Sequence, residues 1–147
     1  MGFPNRIDSA TVSGGSWLST LPLSNIKDRR LSRLARSTNA TIANTIINLD
    51  LGSAKTVGAV ALITHNLSAS ALVRVRGDDA ADFATPLYNS GWLNAWPSGV
   101  IPQALLEWED DNFWLGTVSS EAIAGYQSPY INLIDTRPVL RYWRIEI

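Results

Sequence analysis

Ile47-Asn48-Leu49-Asp50-Leu51-Gly52-Ser53-Ala54-Lys55-Thr56-Val57-Gly58-Ala59-Val60-Ala61-Leu62-Ile63 is the stretch on which the fold turns. Its first part alternates apolar and polar residues after Ile46 and is rich in β-branched side chains, which predicts a strand with one buried face. Gly52-Ser53-Ala54-Lys55 reads as a four-residue turn. Thr56 to Ile63 is then a near-continuous run of small apolar residues, predicting a second strand covered on both faces and joined to the first as a hairpin.

Moving outward, Asn66 to Ser70 is polar and turn-like, and Ala71 to Gly77 alternates again, with Val73 and Val75 facing opposite Arg74 and Arg76. Gly77-Asp78-Asp79 ends that strand. Residues 78–129 are long connections rich in Asp, Asn, Gly and Pro. Tyr130 to Ile134 resumes the alternation. Arg141 to Ile147 is a last strand, with Ile145, Ile147 and either Tyr142 or Trp143 on one face. Upstream, Ser24 can cap a helical turn over Asn25 to Asp28, followed by an extended stretch. Residues 1–22 read as an extended arm broken at Gly14-Gly15, and residues 23–147 as a single domain. Short strands punctuated by Gly, Pro and Asn, with at most one or two short helical turns, give an all-β fold: an antiparallel β-sandwich with long loops. The chain stops inside an apolar alternating strand, so the domain is either closed by that strand or incomplete at its C-terminal side.

Composition excludes much chemistry. A chain of 147 residues has room for one core. It has no cysteine, so disulfides, zinc–thiolate sites and thiol catalysis are out. The formal net charge of −1 provides no global field toward nucleic acid, and no apolar run approaches the roughly 20 residues of a spanning helix. Gly52-Ser53-Ala54-Lys55-Thr56 imitates a phosphate-binding loop, but the upstream glycine is missing and a strand follows. His65 is the lone histidine, without a nucleophile elbow or a second metal-binding His, and reads as a structural hydrogen bond at a strand end. No enzymatic activity is therefore expected, and no cofactor.

Three sets of residues are candidates for contact. Glu107, Glu109, Asp110 and Asp111 form an acidic cluster whose oxygens could hold calcium, though the spacing of a dedicated calcium loop is absent. Lys27, Arg29, Arg30, Arg33 and Arg36 form a basic patch better suited to meeting that acidic cluster, in this chain or a neighbour, than to nucleic acid. Four of the six tryptophans, Trp92, Trp96, Trp108 and Trp114, lie in the long connections. There they can plug the ends of a sandwich, build a protein interface or stack on sugar rings.

The stretch Ile47 to Val57 resembles the strand–turn–strand of galactose-binding-like, discoidin-type sandwich domains. His65-Asn66-Leu67-Ser68, Val73 to Gly77, Tyr88 to Leu93 and Arg141 to Ile145 resemble domains of this class in tailed-bacteriophage virion proteins. The resemblance covers residues 20–147 and implies a jelly-roll sandwich of about eight strands serving adhesion or assembly. On that basis the expected role is a non-enzymatic structural component of a phage virion, in the tail or fibre-attachment region. It would be made in the host cytoplasm and assembled as a homo-oligomer with other virion proteins. The alternative is an adhesion module recognising a host-surface glycan; nucleic acid and membrane insertion are not expected. Members of the class often carry a further strand after the one resembling Arg141 to Ile147, so either the chain is a fragment or another chain is expected to complete pairing at that edge.

Overall fold

The computed structural model describes residues 5–96 and 129–147. Its main sheet is six-stranded and antiparallel. β2 (Ile47–Thr56), β8 (Val139–Glu146) and β4 (Leu72–Asp78) form the centre. β1 (Thr11–Ser13) pairs with β2 at one edge, while β5 (Tyr88–Asn89) and β6 (Leu93–Asn94) both pair with β4 at the other. A second sheet, β3 (Ala59–Leu62) with β7 (Tyr130–Leu133), lies across it. The fold is all-β, an antiparallel sandwich.

Period-two alternation builds the core between the sheets. Val73 and Val75 are fully buried on β4, and Trp143 and Ile145 almost so on β8. Ile47 and Leu51 join them from β2, with Tyr130 and Ile134 from the β7 side. Each such large side chain contributes about 1.5–3 kcal/mol by leaving water. Gly77 is where Trp143 needs the space. A Cβ there would meet Leu140 Cδ1 at 2.9 Å and the Trp143 ring at 3.1 Å, so a methyl at that position would force both side chains to shift.

Several expectations are corrected. β2 and β3 are not a hairpin: the chain leaves the main sheet at Val57-Gly58, and β3 pairs with β7 in the other sheet. Gly52 to Lys55 is not the turn either. The Asp50 carboxylate accepts from the Gly52 amide at 2.8 Å and Gly52 takes φ 75°. The extra residues thus bulge out before Lys55 and Thr56 rejoin β8. β3 is covered on one face only, since Val60 and Leu62 pack inward while Ala59 and Ala61 are exposed. The last strand is not an open edge, because β8 is paired on both sides, with β2 and with β4.

The short helical turn appears as a 3₁₀ helix over Leu23–Lys27, and a single α-turn over Ile42–Thr45 precedes β2 where strand was expected to begin. Thr45 Oγ1 donates to the Ile147 carbonyl, tying that turn to the far end of β8. Before the first long strand, Trp17 bridges to Ser37 and its indole N–H donates to the Gly14 carbonyl at 2.9 Å.

Candidate functional site: the polar face of the main sheet

The same alternation that buries Val73, Val75, Trp143 and Ile145 turns their neighbours outward. Register aligns these neighbours in rows across four strands. Ser13, Asn48, Arg144 and Arg76 form one row, and Thr11, Asp50, Tyr142 and Asp78 the next. Arg74 lies opposite Glu146 in a third.

The connection from β4 to β5 returns over this face and is pinned by Phe83. That residue is 4% exposed and holds φ 55°, a left-handed conformation that a bulky side chain adopts at a cost of about 1 kcal/mol or more. Its ring lies under the guanidinium of Arg144 at 4.3 Å and near that of Arg76 at 5.8 Å. Beside it opens a pocket of about 240 Å³ lined by Thr11, Ser13, Asn48, Leu49, Asp50, Tyr142, Ala81 and Phe83.

Ion pairs organise the face. Arg141 grips Asp50 through both carboxylate oxygens, at 2.8 and 2.9 Å. Together with the Gly52 amide it holds the Asp50 carboxyl below the usual carboxylate range. Glu146, 3% exposed, accepts from both Arg74 and Arg76. Arg144 donates from Nε to Asn48 Oδ1 at 2.7 Å, and burial with the nearby Arg76 charge lowers its guanidinium pKa. At the far edge Arg74 stacks 4.4 Å above the ring of Trp92, which is 40% exposed. The pocket therefore presents an ionised acceptor, an amide, two hydroxyls and aromatic surface, a set that can hydrogen-bond a polyhydroxylated ligand and pack against its apolar face.

The sequence candidates fall unevenly. Trp92 lies at the rim of this face. Trp96 is 7% exposed, with its indole N–H bonded to the Leu67 carbonyl at 2.8 Å and its ring edge-on to His65, so it fills the core rather than offering a contact surface. Trp108 and Trp114 lie outside the described residues, as do Glu107, Glu109, Asp110 and Asp111. Among the described residues no three His, Asp or Glu side chains gather as metal ligands. In the basic patch, Arg29 pairs with Asp8 and Arg30 with Asp28, whose carboxyl is held down at about 2 by that partner. None of Arg29, Arg30 and Arg33 lines the pocket. His65 Nδ1 accepts from the Leu67 amide at 3.4 Å, the local hydrogen bond expected at this strand end, while its buried Nε2 has no partner. Sequence reasoning missed Asn48, Asp50, Phe83, Tyr142 and Arg144. The signal available was the outward row itself, Tyr142-x-Arg144-x-Glu146 beside Arg74-x-Arg76.

No protein-family model matches this chain, and no curated protein matches it in sequence. Among solved structures, a histidine variant of the lectin-binding domain of lectinolysin, complexed with Lewis b, aligns with a TM-score of 0.56 at 12% identity. The alignment covers 99% of this chain and 86% of that domain. The likeness is one of fold.

Proposed function

We propose that this chain is a non-catalytic carbohydrate-binding module whose sugar seat is the pocket on the outer face of the main sheet. The observation that carries the reading is the pocket's composition: Asp50, Asn48, Thr11 and Ser13 converge beside Tyr142 and Phe83. Sugars need this combination of hydrogen-bonding groups and aromatic surface. Its volume of about 240 Å³ falls just below the roughly 300 Å³ at which pockets for drug-sized ligands begin, which suits a single sugar ring. The lectinolysin domain, solved with Lewis b, lends the reading support as a fold already used for a glycan. Calorimetric titration with a panel of neutral and acidic mono- and oligosaccharides tests it. Saturable binding, lost in both Asp50→Asn and Tyr142→Ala, is the expected result. Absence of binding across the panel, or binding that survives both substitutions, overturns it.

A second reading, a structural component of a phage tail or fibre-attachment region that works by subunit assembly, draws on a different surface. The outward positions of the second sheet are Ala59, Ala61, Ile131 and Leu133, the last two 57% and 71% exposed. A bare apolar face of this kind suits protein contact. Sedimentation of the purified chain separates the readings: a discrete oligomer broken by Leu133→Lys favours assembly, and a monomer that binds sugar favours the module.

A further inference from the structure

Arg74, Arg76 and Arg144 share the outer face of β4 and β8 with two buried carboxylates, Glu146 and Asp78. Arg74 and Arg76 both bond Glu146, so a single negative charge is divided between two guanidiniums. Among the described residues Arg144 has no carboxylate partner: it is held by Asn48 and the Phe83 ring. Arg144 and Arg76 are direct register partners, and like charges placed so repel each other. The Nε of Arg76 is buried with no acceptor. Neighbouring acids do not relieve the excess. Asp50 is engaged by Arg141 through both oxygens, and Asp78, 6% exposed, accepts from the Asp79 amide and pairs with no arginine. One positive charge without an ion-pair partner among the described residues, that of Arg144, is thus built into a half-buried site next to the pocket, and Asn48 belongs to both.

We propose that this charge receives an anionic substituent, a carboxylate or a sulfate, carried by the sugar that occupies the pocket, so that the module's ligand is an acidic saccharide. The inference rests on the carbohydrate reading. A ring seated against Asn48 places a substituent within reach of Arg144, whose planar guanidinium suits bidentate contact with either group. Galactose, galacturonic acid and galactose 6-sulfate, titrated calorimetrically into the full chain at low salt, test it. At least one acidic sugar should bind about tenfold more tightly than galactose, the span of a charge-assisted hydrogen bond. Which acid wins separates carboxylate from sulfate recognition, and added salt should shrink the margin. In Arg144→Gln the acidic-to-neutral ratio should fall to near one. Equal affinities in the native chain, or a ratio untouched by Arg144→Gln, overturn the proposal. If none of the three sugars binds, a second arm separates the two readings: melting in sodium sulfate against sodium chloride at equal ionic strength. A sulfate-specific rise in Tm lost in Arg144→Gln supports the anion site without a sugar seat. No rise overturns it.

Discussion

On the outer face of the six-stranded sheet, Arg74, Arg76 and Arg144 stand in register with Glu146, Asn48 and Ser13, whereas the corresponding face of β3 and β7 carries only Ala59, Ala61, Ile131 and Leu133. Both arise from the same period-two alternation over a shared apolar interior. The difference is one of satisfaction. Most polar groups on the first face are bonded to one another, and a connection folds back to cover part of it through Phe83. Among the described residues the second face carries only apolar side chains, with Ile131 and Leu133 more than half exposed. The first face therefore offers donors and acceptors to a polar ligand, and the second offers apolar surface.

Substitutions can break or sharpen this contrast. The largest effect is expected at Glu146. Glu146→Gln leaves Arg74 and Arg76 without their shared countercharge in a largely buried setting, and should cost about 3 kcal/mol in urea unfolding. A loss under 1 kcal/mol would show the polar face to be loosely held. Gly77→Ala is expected to cost about 2 kcal/mol by pushing a methyl into Leu140 and Trp143, a strain felt by the sheet that both faces share. At the other extreme, Leu133→Lys should change stability by no more than about 0.5 kcal/mol, since the side chain already faces water.

A pH series adds a smaller, directional effect. Burial lowers the pKa of His65, so below the ordinary histidine value of about 6.5 the unfolded chain takes up the proton more readily than the folded one. Stability should hold above that value and decline as pH falls from it through the folded-state pKa. His65→Phe should flatten that decline in a thermal melt series between pH 7.5 and 5. An unchanged slope would assign it to other groups.

The alternating stretches at Ile47 to Leu51, Leu72 to Gly77 and Arg141 to Ile147 were legible as strands because one buried face imposes period two on the residues. Pairing was not legible. The run from Thr56 to Ile63 reads as the return arm of a hairpin, and only the long-range match of Ala59 with Leu133 and Leu62 with Tyr130 carries β3 into the other sheet. The site was hidden for the same reason. Ser13, Asn48, Arg144 and Arg76 lie far apart in the chain and become neighbours through register alone. Phe83 carried a misleading signal, an apolar residue in a polar connection that takes a left-handed backbone to cover two arginines. Of the three roles open to the loop tryptophans, Trp96 takes the first, its indole buried as a plug of the core.

Amide shifts of the isotopically labelled chain, mapped during titration with the tightest-binding sugar, report whether a saccharide binds on the polar face of the main sheet. Saturable shifts centred on Asn48, Asp50, Phe83, Tyr142 and Arg144, with Ala59, Ala61, Ile131 and Leu133 unmoved, are the predicted result. Shifts confined to β3 and β7, or none at saturating sugar, would contradict it.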